Sequence, residues 1–278
     1  MILNADLHCH STVSDGWLTP TEVVRRAAAN GVSLLALTDH DEVGGLDEAK
    51  ATAHELGIML VPGVEISVTF LEETIHIVGL GIDHYNPQLL DGLRQVRSGR
   101  DQRAVRMSEA LDAIGIHGVL EGARRFARNP ALVGRAHFAR HLVASGLMPD
   151  VNTVFRYYLA RGKPGYVAHT WAMLEDAVGW IRTAGGLAVI AHPARYRLSD
   201  HDMDTLFDRF VACGGEAVEV VSGAHTEAEV LKFASIARRR GLLASRASDF
   251  HGEKESPVDL GRCDPLPPDL TPVWSKLI

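Results

Sequence analysis

The run ADLHCHSTVSDG, residues 5 to 16, holds two imidazoles and two carboxylates, those of Asp6, His8, His10 and Asp15. Residues two apart on a β-strand point to the same side, so a strand here faces Asp6, His8 and His10 one way and Leu7 and Cys9 the other. The same residue types return along the chain. LTDHD carries Asp39, His40 and Asp41, PGVEIS carries Glu65, TIHIVGLGI carries His76, IAHP carries His192, and SDFH carries Asp249 and His251. One such histidine is ordinarily a satisfied structural residue, but six apolar segments that each end or turn on a ligand-type side chain point to one shared centre. Imidazole with carboxylate suits Zn, Mn or Fe, whereas all-oxygen sets suit Mg or Ca. His8, His10, Asp15, His40, Glu65, His76, His192, Asp249 and His251 are too many for one ion. At about three protein ligands per ion, with positions left for water and substrate, two or three ions fit. Glu65 could bridge two of them, because each carboxylate oxygen has spare lone pairs. Clustered cations acidify water and stabilise phosphate oxygens, which is the logic of metal-assisted phosphoester hydrolysis.

The elements that must present these residues alternate between strand and helix. ILNADL reads as a strand, and TPTEVVRRAAANG as a helix with a Thr19/Glu22 capping box and a Gly31 stop. SLLALTD, IMLVPGVEIS, LAVIAHP, AVEVVS and LLASRASDFH are short apolar strands separated by helical segments, and TIHIVGLGI follows the third closely enough for a hairpin. Repeated β-then-α units predict a parallel sheet, open or closed into a barrel, and the C-terminal ends of parallel strands share one face of a barrel. In that reading Glu65 closes the third strand. Between about 93 and 170 the alternation lapses into RDQRAVRMSEALDAIG, HGVLEGARRFA, GRAHFARHLVASG and VNTVFRYYLARG, all helical with Gly stops. The expected organisation is an α/β barrel from 1–92 and 171–278 with an all-α insertion at 93–170, and an irregular Pro-rich tail, PVDLGRCDPLPPDLTP.

Bulk properties narrow the class. The 278 residues are 46% hydrophobic, enough for a large core. Cys9, Cys213 and Cys263 are odd in number and widely spaced, which argues against a disulfide framework or Cys-based zinc and suits a reducing cytoplasm. No apolar run approaches a membrane span and no signal peptide is read, so a cytoplasmic, membrane-free protein with no obligate protein partner is expected. The net charge is −7, yet residues 94–163 carry thirteen Lys or Arg against five Asp or Glu. An acidic body with a basic middle suggests an anionic ligand held between them.

DLHCHSTVSDG, LTDHD, PGVEIS, HIVGLG, IAHP and SDFHG, in this order, resemble the motif set of the PHP (polymerase and histidinol phosphatase) phosphoesterases among the amidohydrolase-like enzymes. The resemblance spans residues 6 to 252. It implies a distorted seven-stranded β/α barrel and a trinuclear centre, often manganese, with Zn, Fe or Mg as alternatives. It further implies that His8, His10, Glu65 and Asp249 hold one ion, that Glu65, His76 and His192 hold the second, and that Asp15, His40 and His251 hold the third. Asp39 points away from His40 on a strand and stays outside this set. The insertion, with VGRAHFARHLVASG and YLARGKPGYV, is similar to the branch that removes the 3′-phosphate of nucleoside 3′,5′-bisphosphates, and to relatives that trim RNA from its 5′ end. Ala136 stands where that branch is expected to have proline.

The basic residues of the insertion are the expected substrate grip. Arg94, Arg97, Arg100, Arg103 and Arg106 recur every third residue, a spacing that drifts about 60° per step around a helix, so only some can face one ligand. Arg100 and Arg103 are the candidates. Arg135, at an apparent helix start, is the preferred phosphate clamp, since guanidinium binds phosphate bidentately and helix N-termini favour anions. Lys163 and His225 are further candidates for substrate contact, while His54, His84, His117, His141 and His201 read as surface or capping residues. The reaction expected is hydrolysis of a nucleoside 3′,5′-bisphosphate, such as 3′,5′-bisphosphoadenosine, to the 5′-monophosphate and phosphate by attack of a metal-bound hydroxide. The rivals are a 5′-to-3′ exoribonuclease acting on short 5′-phosphorylated RNA, a histidinol-phosphatase-like phosphomonoesterase, and a metal-binding regulatory module. The small insertion has no aromatic-rich basic stripe, which favours the mononucleotide because single strands usually need stacking platforms; Tyr157, Tyr158 and Tyr166 weaken that argument without reversing it.

Overall fold

Alternate residues of the short strands divide between two apolar clusters, and that division sets the architecture. The computed structural model describes residues 3–129 and 132–278. Strand β2 (Leu34–Leu37) sends Leu35 and Leu37 into a large cluster with Val23, Val24 and Ala27 of helix α1 (Pro20–Ala29) and Ala49 and Ala53 of α2 (Leu46–Leu56). Leu34 and Ala36 join a smaller cluster that is built mainly from strand residues, including Ala5, Val78, Val189 and Ala217. A sheet buried on both faces by helices outside and its own side chains inside is a barrel.

The seven strands lie in sequence order: β1 (Ala5–Asp6), β2, β3 (Met59–Phe70), β4 (Glu73–Leu80), β5 (Leu187–Ile190), β6 (Ala217–Ser222) and β7 (Leu243–Ala247). Only β4 runs against its neighbours. The ends meet, because Leu7 N–H donates to Arg246 O (3.1 Å) and Asp249 N–H to His8 O (2.9 Å). Asp6 tightens this seam by accepting from the N–H groups of Ser248 (2.9 Å) and Gly261 (2.7 Å).

Local signals account for the helices around the barrel. The Thr19/Glu22 capping box opens α1, and left-handed Gly57 (φ 70°) ends α2. Helix α8 (Leu174–Thr183) precedes β5, α9 (Asp200–Ala212) lies between β5 and β6, and α10 (Glu227–Arg240) lies between β6 and β7. Before them come α3 (Pro87–Ser98), α4 (Arg100–Asp112), α5 (Val119–Arg124), α6 (Arg135–Ala144) and α7 (Val151–Val154). Leu89 and Leu93 of α3 pack into the large barrel cluster, whereas Ala104 to Leu159 bury a cluster of their own around Met107, Leu111, Phe138 and Leu142.

Three sequence expectations change. β3 continues to Phe70 as one arm of a hairpin with β4, so Glu65 sits in mid-strand, not at a strand end. The helix read in VNTVFRYYLARG is one α-turn followed by a π-turn over Phe155–Leu159. β1 is only two residues long, so its alternation does not extend to His10.

Candidate metal centre and substrate cleft

All nine candidate ligands converge at one end of the barrel. His8 and His10 follow β1, His40 follows β2, His192 follows β5, and Asp249 and His251 follow β7, while Glu65 and His76 face in from the hairpin. Glu65 is the hub. Its Oε2 lies 2.6 Å from His40 Nδ1 and 3.4 Å from His10 Nε2. Its Oε1 lies 2.8 Å from His76 Nδ1, 3.0 Å from His192 Nε2 and 3.4 Å from His8 Nε2. Asp249 Oδ1 is 3.2 Å from His10 Nε2 and 3.5 Å from His8 Nε2. Asp15 forms the looser corner, 3.4 Å from His251 Nε2 and 3.9 Å from both His10 Nδ1 and His40 Nε2. Four overlapping groups could each hold an ion: His10, Asp15, His40 and His251; His8, His10 and Asp249; His8, Glu65 and His192; His40, Glu65 and His76.

The donor set fits divalent cations. His8 Nδ1 stands 2.7 Å from Glu219 Oε1, and a carboxylate only accepts, so the ring proton sits there and the Nε2 lone pair points inward. That lone pair meets His10 Nε2 at 3.0 Å as well as Glu65 and Asp249. Likewise His251 Nδ1 donates to Asp249 O (3.0 Å), which leaves its Nε2 facing Asp15. His10 Nδ1, Glu65 Oε2 and Asp249 Oδ1 are buried without a hydrogen bond, while Asp249 Oδ2 is paired with Arg195 Nη1 at 2.6 Å. So many ring nitrogens and carboxylate oxygens converging on one volume suit divalent cations, whose place protons on His8 and His40 take without them.

Electrostatics agree. Burial raises Glu65, but His40, His76 and His8 outweigh it and hold the carboxyl well below its usual range. Burial is likewise outweighed at Asp249, by Arg195, His8 and His251, and at Asp15, by His40 and His251. Burial, reinforced by His251 and His40, pushes His10 down to about 3, and burial takes His76 to about 4 despite Glu65. At His40 burial loses to Glu65 and Asp15, and the ring rises to about 9. Backbone strain gathers here too. Asp41 (φ 51°), His192 (φ 24°) and Asp249 (φ 55°) are three of the four non-glycine residues with positive φ among the described residues. Hydrogen bonds retain that strain, with His192 N–H donating to Glu219 Oε2 (2.7 Å) and Asp249 N–H to His8 O.

The cluster lines a cleft of about 400 Å³ that is also lined by Arg100, Arg103 and Arg135 with Phe155, Tyr166 and Trp171. Arg100 pairs with buried Asp41 and donates to Ser67 Oγ (3.1 Å), and Arg103 Nε donates to Val167 O (3.1 Å). Both guanidiniums lie over the Trp171 ring, at 4.7 and 5.3 Å. Burial, with the charges of Arg135 and Arg100, pushes Arg103 down to about 9. A guanidinium stays protonated at neutral pH, so the shift registers crowding that a bound anion would relieve. Arg135 lies 5.7 Å above the Phe155 ring and has no hydrogen-bond or ion-pair partner among the described residues. The imidazole of His137 braces this end of α6 by accepting the Gly134 N–H (3.1 Å).

Several placements differ from the sequence reading. Lys163 is exposed in a turn, and His225 stacks on Phe233 with Nδ1 on Val220 O (3.0 Å); neither lines the cleft. Asp6 is turned to the barrel seam, away from His8 and His10. Asp39 accepts from Ser11 N–H (2.8 Å), Ser11 Oγ (2.7 Å) and Ser14 Oγ (2.6 Å), so it organises the loop that carries Asp15. The reading missed Glu219, which orients His8 and His192, although a lone carboxylate inside AVEVVS was a visible signal. It also missed Arg195, whose Nη1 lies 2.6 Å from Asp249 Oδ2 at the cleft. Of the three tyrosines noted in the insertion Tyr166 lines the cleft, and Phe155 and Trp171 join it there.

Comparison with known proteins agrees with this geometry. The PHP domain model matches residues 6–210. A 3′,5′-nucleoside bisphosphate phosphatase of Chromobacterium violaceum is 54% identical over 99% of this chain and 96% of its own length. The 5′-3′ exoribonuclease Rnm of Escherichia coli is 43% identical over 97% of this chain and 92% of its own length. Among solved structures, an amidohydrolase from Chromobacterium violaceum with bound sulfate and no metal superposes with a TM-score of 0.96 at 54% identity, covering 99% of this chain and 95% of that one. A protein of Bifidobacterium adolescentis assigned as a metal-dependent phosphoesterase follows at 0.83 and 27% identity, covering 100% and 95%.

Proposed function

This chain belongs to the PHP family, and from that premise we propose that it is a metal-dependent phosphatase that removes the 3′-phosphate of nucleoside 3′,5′-bisphosphates, leaving the 5′-monophosphate and inorganic phosphate. The observation that carries the reading is one cleft lined both by the candidate cation-binding cluster and by arginines, Arg100, Arg103 and Arg135 of the helical segment among them. His8, His10, Glu65 and Asp249 would hold one ion, Glu65, His76 and His192 a second, and Asp15, His40 and His251 a third, with manganese the preferred metal. Divalent ions there would polarise the phosphoryl oxygens and let water act as the nucleophile at neutral pH. Glu219 keeps the His8 lone pair directed inward. Arg135, Arg100 and Arg103 would take the phosphate that is retained. Binding energy spent on the retained group then positions the reacting one. In this reading residues 93–170 act as a substrate-gripping insertion on a barrel formed by 1–92 and 171–278. A cytoplasmic setting is supported by three cysteines without disulfides; among the described residues no helix is long and apolar enough to cross a membrane.

The aromatic side chains beside the arginines favour a second reading, in which the same site trims short 5′-phosphorylated RNA; the Escherichia coli relative is named a 5′-3′ exoribonuclease. Phosphate release with Mn²⁺ separates the two. 3′,5′-Bisphosphoadenosine should yield 5′-AMP far faster than 3′-AMP is hydrolysed, because 3′-AMP lacks the second anchor. Equal rates would sink the two-anchor reading, and faster mononucleotide release from RNA would favour the exonuclease.

A further inference from the structure

We propose that Arg140 is a positioning residue through which the helical segment holds Asp15 in place for the ion bounded by His10, Asp15, His40 and His251. The inference rests on the reading that Asp15 is a metal ligand. Asp15 belongs to the loop 11–16, which has no regular secondary structure, and its carboxylate sits farther from its imidazole neighbours than Glu65 does from His40 or His76. The barrel anchors the loop on either side of Asp15. Asp39 holds Ser11 and Ser14, Gly16 N–H donates to Ser11 O (2.8 Å), and Trp17 N–H donates to His251 O (2.7 Å). Asp15 itself is held from the helical segment, where Arg140 Nη2 of α6 donates to its backbone carbonyl.

The grip is built to point. Arg140 is 4% exposed and forks onto Glu255, with Nε to Oε1 at 2.8 Å and Nη2 to Oε2 at 2.7 Å. Trp17 closes the arrangement, since its Nε1 donates to Glu255 Oε1 (2.7 Å) and its ring lies 4.6 Å from the guanidinium. Docking α6 on the barrel needs none of this. An apolar pair would serve at least as well, because a buried ion pair must first be desolvated. The bidentate fork fixes the direction of the second N–H on Nη2, and that N–H goes to Asp15. Arg135 and Arg140 share one helix, so the element facing the substrate also braces the loosest corner of the candidate metal centre.

The test compares Arg140→Met, Asp15→Ala and the double variant in the full-length protein, by calorimetric titration with Mn²⁺ and by metal content after desalting, with thermal melts as a check on folding. Partners of metal ligands typically change metal affinity by about 10- to 100-fold. Arg140→Met should weaken one ion by that factor and leave the others unchanged, and Arg140→Lys should restore part of it. Because Arg140 acts through Asp15, the double variant should match Asp15→Ala. Wild-type metal binding in Arg140→Met, with only a lowered melting temperature, would overturn the proposal and leave a docking role. Wild-type metal binding in Asp15→Ala would instead remove Asp15 from the ligand set, and the proposal with it. Should Arg140→Met fail to fold, Glu255→Gln loosens the fork and should weaken the same ion; unchanged binding there also overturns the proposal.

Discussion

Replacing Arg135 with Ala separates the arginines of the cleft from its metal cluster, because the three arginines are not equally committed. Arg100 is tied to Asp41 and Ser67, and Arg103 is tied to Val167, while Arg135 has only the Phe155 ring. Its charge is the one most available to a ligand. A charge-assisted hydrogen bond contributes about 1.5–3 kcal/mol, which converts to roughly 10- to 150-fold in kcat/KM. For a bisphosphate the loss should appear mainly in KM, since the retained phosphate is bound alike in ground and transition states. For 3′-AMP, which has no phosphate there, kcat/KM should be unchanged. Stability should change little: the variant loses about 0.5–1 kcal/mol of contact with Phe155, but it also relieves the repulsion that adds to burial in lowering Arg103. Steady-state kinetics on both substrates, with metal content measured alongside, is the assay. Wild-type kinetics, or an equal loss on both substrates, would refute the assignment of Arg135 to the retained phosphate.

Glu65→Ala should lose more than one ion, because Glu65 belongs to two of the candidate groups; full occupancy by elemental analysis would remove the bridging role. Metal uptake should release protons. Without a cation His40 is protonated up to about pH 9 and His8 is raised above its ordinary range, against burial, by Glu65, Glu219 and Asp249. A bound ion needs these rings neutral, so apparent affinity should climb as pH rises toward 9. Calorimetry at pH 7 in two buffers of unlike ionisation enthalpy should give different apparent enthalpies, and identical ones would count against it.

The candidate ligand types and their order were legible in the sequence, as was the position of His40, His192, Asp249 and His251 just past strands, because those apolar runs are short and stop on a polar residue. Period and length carry that information without any long-range contact. Local chemistry also marked the α1 capping box and the Gly57 stop. How the ligands group was not legible. His40 reaches both Glu65 and Asp15, and His10 reaches Glu65, Asp249 and Asp15, because barrel closure brings four chain segments within a few ångströms. Sequence spacing carries no measure of that. Asp6 shows the limit from the other side: the two-residue rule placed it with His8 and His10, but β1 ends at Asp6 and the chain then follows the β1–β7 seam. Lys163 and His225 had suitable chemistry and the wrong location. Arg140 had no signal at all, since its partners Asp15 and Glu255 lie 125 and 115 residues away in sequence. Residue types and local periods set which side chains could bind metal and phosphate, and only the closure of the barrel against the helical segment decided which of them meet.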